Sequence, residues 1–187
     1  MKVTRAQADA NRERILDNAA QLFRERGVDG VGLNELMQAA GLTRGGFYGH
    51  FESKDDLVAQ ASRRAMENNR DARRKLADKG LATWVRTYLS DAHCERMGEG
   101  CALTALAADA ARGGPELRAA IGEGAESFAS ALQPLMPGAT EAERREQALA
   151  RMATLVGALL LGRAVGDRGQ SRELREAARK AVLAGAD

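Results

Sequence analysis

Residues 33–57, LNELMQAAGLTRGGFYGHFESKDDL, decide how this chain is read. Leu33, Leu36, Met37 and Ala40 recur at i, i+3, i+4 and i+7, and Gly41 stands where a left-handed residue closes a helix. A two-turn helix is expected there. Thr43 is a candidate N-cap, and Leu42 before it is placed to pack on Phe47 as a hydrophobic staple. A second short helix is therefore expected from Arg44 to about Phe51. It contains Gly45, Gly46 and Gly49, each costing roughly 1 kcal/mol relative to alanine inside a helix. Ser53, followed three residues later by Asp56, begins a further capped helix with carboxylates in its positive first turn.

Outward from this stretch the punctuation continues. Thr4 and Gln7 have capping-box spacing, Ile15, Ala19, Leu22 and Phe23 share a stripe, and Gly27 supplies a stop, so a first helix spans about Arg5 to Arg26. The helix begun at Ser53 is expected to run unbroken through LVAQASRRAMENNRDARRKLA to Gly80. LATWVRTYLSDAH is amphipathic, CERMGEGC is a break, and ALTALAADAAR is a helix ended by GGP. A helix from Pro115 to about Met136 precedes a second capping box, Thr140 with Glu143, which opens a long helix to about Gly166. RGQS then separates it from a final helix starting at Arg172. The fold class is all-α, with residues 1–55 a helix-turn-helix domain that includes the start of the fourth helix, and residues 56–187 a larger helical domain.

Composition agrees with this class. The 187 residues are 44% hydrophobic and 29% charged, with only 3 prolines. No segment approaches the roughly 18 uninterrupted apolar residues of a membrane span, and no apolar run follows the basic N-terminus, so a cytoplasmic protein with no membrane partner is expected. Net charge is +2, but residues 1–75 hold 14 Lys and Arg against 11 Asp and Glu, whereas the remainder hold 14 against 15. This asymmetry favours a polyanion at the N-terminal end. Cys94 and Cys101 are expected to be free thiols in such a compartment. Their Cys-x6-Cys spacing, with His93 and His50, suits no common zinc pattern, and neither metal nor cofactor is expected.

Short helices joined by a turn of about three residues form the helix-turn-helix arrangement, whose second helix enters the DNA major groove. In that frame Arg44 is placed to bond a guanine edge and Thr43 to bond phosphate. Tyr48 and His50 suit the flanking backbone. Lys54 adds a charge beside the N–H groups of the next helix. Gly45, Gly46 and Gly49 let backbone approach the groove closely, while Phe47 and Phe51 face inward as core.

The stretch RILDNAAQLFRERGVDGVGLNELMQAAGLTRGGFYGHFESKDDLVAQA resembles the N-terminal domain of the TetR family of transcriptional repressors, from ILxxAxxLFxxxG to FYxHFxSKxxL. The resemblance implies a homodimer that binds double-stranded operator DNA and carries a C-terminal domain, here residues 56–187, for dimerisation and effector binding, the effector being a small-molecule inducer. Gly32 departs from the Ser or Thr usual in the family, which implies one phosphate contact fewer. GEGCALTALAADAA is similar to a Gly-Cys segment in a branch of TetR-like repressors that includes sensors of electrophiles and oxidants.

Cys101 sits just before a helix, where the local dipole favours thiolate. It is a candidate redox or electrophile residue, and a buried core cysteine is the competing reading. Trp84 and Phe128 are candidate walls of an apolar inducer pocket, with Met97, Met136, Met152 and the leucines of LVGALLLG as further candidates. RMATLVGALLLGRAVG is apolar on all sides and is either an internal core helix or paired across a dimer, the better reading in light of the resemblance. A thiol-based sensor or enzyme acting through Cys101 remains the alternative function. No Ser/His/Asp or Cys/His constellation in the sequence supports an enzyme.

Overall fold

A computed structural model describes residues 4–184, and among these there are helices and no strands. Helix α1 spans Arg5–Arg26, α2 Leu33–Ala39, α3 Lys54–Asn68, α4 Arg70–Ala77 and α5 Leu81–Tyr88. The chain continues with α6 Asp91–Glu95, α7 Ala102–Arg112, α8 Pro115–Leu132, α9 Glu141–Ala164 and α10 Arg168–Leu183. Single turns of 3-10 helix lie at Met97–Glu99 and Gln133–Leu135, and a longer one at Arg44–Gly49.

Three of the expected caps form. Thr4 accepts the Gln7 N–H, Ser53 accepts that of Asp56, and Thr140 with Glu143 closes a reciprocal capping box. Gly41 adopts φ 71° and ends α2 in a Schellman motif, with Leu42 N–H donating to Met37 C=O at 2.8 Å and Gly41 N–H to Gln38 C=O at 2.9 Å. That turn aims the chain into the Arg44–Gly49 element.

Two boundaries differ from the sequence reading. The helix expected to continue from Ser53 to Gly80 breaks at Asn69, between α3 and α4. Asn69 Nδ2 donates to Ala65 C=O at 3.3 Å and also to Gly100 C=O at 3.1 Å. Its side chain thus competes with the helical ladder and anchors the bend to the turn before α7. The final helix begins at Arg168 rather than Arg172, because Asp167 accepts the Gln170 N–H at 2.7 Å and caps it one turn early.

Buried side chains from α1 through α10 join one core cluster. The expected domain boundary between residues 55 and 56 falls inside the first turn of α3. That helix packs on α1 and on α8. Contact with α8 is close at Gly124, where a Cβ would meet Met66 Sδ at 2.6 Å and the methionine side chain would have to move aside. Val28, between α1 and α2, is held from two sides: Lys54 Nζ donates to its carbonyl at 3.1 Å, and its N–H points at Asp109 Oδ2 of α7 at 3.4 Å. The short helices at the N-terminus are therefore fastened both to α3 and to α7.

Candidate nucleic-acid interface and effector cavity

The element expected to be a short α-helix after Thr43 is a 3-10 helix, Arg44–Gly49. Gly46 N–H bonds Thr43 C=O at 3.1 Å and His50 N–H bonds Phe47 C=O at 2.9 Å, both in the i to i+3 pattern. Three glycines in six residues remove the side-chain packing and propensity that would hold a regular α-helix. Thr43 occupies the N-cap position in an extended conformation, yet its side chain makes no capping bond. Its hydroxyl faces solvent instead, available for another partner.

What holds the element is its aromatic underside. Phe47 and Phe51 are buried and stacked, with ring centroids 5.7 Å apart, and the Arg12 guanidinium lies 5.3 Å from the Phe51 centroid. Leu42 is partly buried against the same core, where the staple was expected. Tyr48 sets its ring edge against Phe47 at 5.1 Å but remains 76% exposed. Arg44, Gly45 and Gly49 are exposed and His50 is half-buried.

The three glycines have negative or extended φ, so backbone conformation does not require them. A Cβ added at Gly45 or Gly49 would meet nothing within 4 Å, and one at Gly46 would make an ordinary contact with Met37 Cε at 3.7 Å. Nothing inside the protein explains their choice, which leaves the space outside. Lys54 is placed differently from the rest: it is half-buried, with one donor committed to the Val28 carbonyl.

Gly32 is the N-cap of α2, in an extended conformation with no side-chain cap and open space around it. Gly32→Ser is expected to supply an acceptor for the Glu35 N–H and raise stability by a few tenths of a kcal/mol. The hydroxyl would also restore the phosphate donor implied by the family pattern. Denaturant melts and DNA titrations of this variant should both move upward; weaker DNA binding would exclude that geometry.

A second site lies under the α3–α4 bend. A cavity of about 440 Å³ is lined by Asn69, Arg73, Trp84, Tyr88, Cys101 and Phe128, among others. Trp84, Phe128 and Cys101, singled out separately in the sequence, thus meet in one place. Trp84 and Tyr88 both set their rings edge-on to Phe128, at 5.6 and 5.5 Å. Of the other pocket candidates, Met136 is buried without lining the cavity, Met97 faces a different cleft, and Leu160 and Leu161 point outward.

Cys101 is the N-cap of α7 and only 4% exposed. Its N–H donates to His93 Nε2 at 3.1 Å, while His93 Nδ1 donates to Tyr88 C=O at 2.6 Å. Both imidazole nitrogens are thereby occupied in the neutral ring. Burial first, and then the Arg163 charge, hold the His93 pKa below its ordinary 6.5. His93 consequently lacks a free nitrogen with which to act as a base toward the thiol. Arg24, Arg73 and Arg163 lie in the neighbourhood of Cys101, on α1, α4 and α9. Sequence reading missed all three, because none is near Cys101 along the chain. Both cysteines are free.

Residues 15–61 match the family described as "Bacterial regulatory proteins, tetR family". The chain is 44% identical over 57 residues to the HTH-type transcriptional regulator AcrR of Shigella flexneri, a match spanning 26% of that protein and 30% of this chain. With the HTH-type transcriptional regulator LmrA of Bacillus subtilis it shares 28% identity over 163 residues, covering 81% of this chain and 85% of that one. Among solved structures, the reduced form of Escherichia coli NemR superposes with TM-score 0.76 at 25% identity, over 92% of this chain and 95% of NemR. A TetR-family regulator from Cytophaga hutchinsonii gives TM-score 0.77 at 21% identity, over 98% and 97% of the two chains. The glycine-faced helix-turn-helix within residues 15–61 therefore belongs to the TetR family of bacterial regulatory proteins, and the whole chain, helical body included, is similar to DNA-binding transcriptional regulators of that family.

Proposed function

We propose that the protein is a homodimeric repressor in the cytoplasm that leaves a roughly palindromic operator when a small apolar or electrophilic effector occupies the cavity under the α3–α4 bend. The observation that carries this reading is the course of α3. It starts at Ser53, just after the Arg44–Gly49 element, and ends at the Asn69 bend on the cavity wall. A shift of α4 is transmitted along α3 to the DNA-facing surface. A parallel connection runs through α7, whose N-cap Cys101 lines the cavity and whose Asp109 meets Val28. In the DNA-bound state the two recognition elements would lie in successive major grooves about 34 Å apart. An effector acts only by favouring a dimer geometry with the wrong spacing.

Ala72, on the α4 wall of the cavity, offers a test that needs no known effector. Ala72→Phe fills the cavity from α4 and is expected to weaken operator binding by roughly 5- to 150-fold, the usual range of coupling between sites. Operator affinity is read by titration, with helix content and oligomeric state as controls. Unchanged or tighter binding would refute the coupling.

The thiol-based reading has its own support: the position of Cys101 among three arginine charges, and the likeness to NemR, whose structure is described as a reduced form. If a thiol-reactive compound releases wild type and Cys101→Ser from DNA equally, Cys101 has no part in the response.

A further inference from the structure

We propose that the cavity under the α3–α4 bend takes a monoanionic amphipathic acid, an aryl or alkyl carboxylate whose charged end pairs with Arg73 and whose apolar body lies against Trp84 and Phe128. This rests on the cavity being the effector site and names the chemistry that it selects.

Arg73 carries the argument. It is 7% exposed, and its guanidinium lies 5.6 Å from the Phe128 centroid. The one hydrogen bond of its side chain among the described residues runs from Nη2 to Met66 C=O at 3.1 Å, and no carboxylate there comes within ion-pair distance. A buried charge without a partner is costly. Burial accordingly lowers the Arg73 pKa from its ordinary value.

The other buried arginines of the C-terminal part have more acceptors. Arg175 bonds Leu89 C=O at 2.7 Å and Asp91 Oδ1 at 2.6 Å, its Nε staying unpartnered, and Arg151, like Arg73 without a carboxylate, bonds Val182 C=O at 3.0 Å, Ala184 C=O at 3.3 Å and Gln147. Arg73 alone of this group lines the cavity.

An independent observation comes from Trp84. This side chain also lines the cavity, is fully buried, and its Nε1–H has no acceptor. An indole N–H left unpaired inside a protein is uncommon and calls for an explanation. A cavity wall with one guanidinium that has no carboxylate partner and one unpaired indole donor is short of acceptors, which a carboxylate supplies.

The rest of the lining fixes the remainder of the ligand. His93 is neutral with both nitrogens engaged, and Arg96 and Glu99 are exposed and of opposite sign, so Arg73 sets the buried charge. One buried cation matches one anion. Phe128, Leu76 and Trp84 offer an apolar surface, and about 440 Å³ lies in the lower part of the usual range of small-molecule sites, roughly 300–1,000 Å³, suiting a one- or two-ring molecule.

Trp84 is the single tryptophan of the chain, so its emission reports the cavity directly. The probes are phenylbutyrate and phenylbutyramide, which share shape and differ in charge. The acid is expected to perturb Trp84 fluorescence and bind at least about tenfold tighter than the amide, as a charge-assisted pair should. Arg73→Met should remove that preference and Arg73→Lys should keep part of it. Equal binding of acid and amide, binding of neither, or a preference that survives Arg73→Met would each overturn the proposal. If Arg73→Met fails to fold, the acid-to-amide ratio in wild type and in Arg73→Lys decides, a ratio near one in wild type overturning it.

Operator release is measured separately in the same samples. An acid that binds through Arg73 without loosening DNA leaves the ligand class standing and removes the effector role. A neutral compound that loosens DNA from this cavity with no preference for acids does the reverse.

Discussion

Arg44→Ala is expected to weaken cognate operator binding by about 1–3 kcal/mol per half-site, roughly 5- to 150-fold for each recognition element. The side chain is exposed at the start of the Arg44–Gly49 turn, makes no ion pair among the described residues, and leaves the core when removed unchanged. Its loss should therefore act on DNA binding and not on folding. The kind of contact can be told from two further readings. If Arg44 bonds a base edge, the loss is confined to the cognate sequence; if it bonds phosphate, binding falls on all sequences and the salt slope drops by about one. Tyr48→Ala, which removes a neutral donor, should weaken all sequences without altering that slope. Operator binding that survives Arg44→Ala and Tyr48→Ala together would mean the element does not enter the groove. Gly45→Ala sharpens the same test, because its Cβ meets no protein atom within 4 Å and a loss of affinity with unchanged melting comes from the DNA side.

The parts of the fold visible in the sequence were those decided within a few residues. Gly41 had to adopt a positive φ because the apolar period ends at Ala40 and resumes out of phase at Leu42. Thr4, Ser53 and Thr140 each had their partner N–H three residues on, so their caps were local events. What failed depended on distant partners. Asn69 reads as an ordinary helical residue until its amide finds the Gly100 carbonyl, 31 residues away, and breaks the helix. The recognition turn was placed correctly but given the wrong helical type, because packing of Phe47 and Phe51 sets its winding and no propensity scale contains that contact.

The cavity was legible in the same uneven way. Trp84 and Phe128 stand out because large aromatics are few in this chain, and Cys101 because it precedes a helix. Arg73 was hidden in RDARRK, a run of charge whose neighbours Arg70, Asp71, Arg74 and Lys75 are indeed exposed. Which member of such a run turns inward is fixed by where Phe128 of α8 lies, and that is tertiary information. The same holds for Lys54, whose sequence position suggests a free cation but whose ammonium is bonded to Val28 C=O.

Leu160→Glu combined with Leu161→Glu is expected to convert the protein into a folded monomer and to abolish operator binding at concentrations where wild type saturates. Helix α9 buries Leu155, Leu159 and Gly162 against the rest of the chain, yet its other side is also apolar. Leu149, Leu160 and Leu161 are exposed, the last by 52%, and Ala153 and Ala164 are exposed along the same face. A Cβ at Gly157 would meet nothing within 4 Å, so the face is open to close approach by another helix. This two-sided character is compatible with both sequence readings of RMATLVGALLLGRAVG: one side is core, and the other is apolar and exposed in the protomer. Burying a leucine contributes about 1.5–3 kcal/mol, and a twofold interface counts each substitution twice while bringing like charges together. Since the replaced side chains are exposed in the protomer, melting of the monomer should change little, whereas sedimentation should show halved mass. DNA binding then falls because one half-site must act without the other, a loss of roughly 10²- to 10⁴-fold in avidity. Persistence of the dimer in this variant would place the interface on another face, and a monomer that still bound operator as wild type does would remove the need for paired recognition elements.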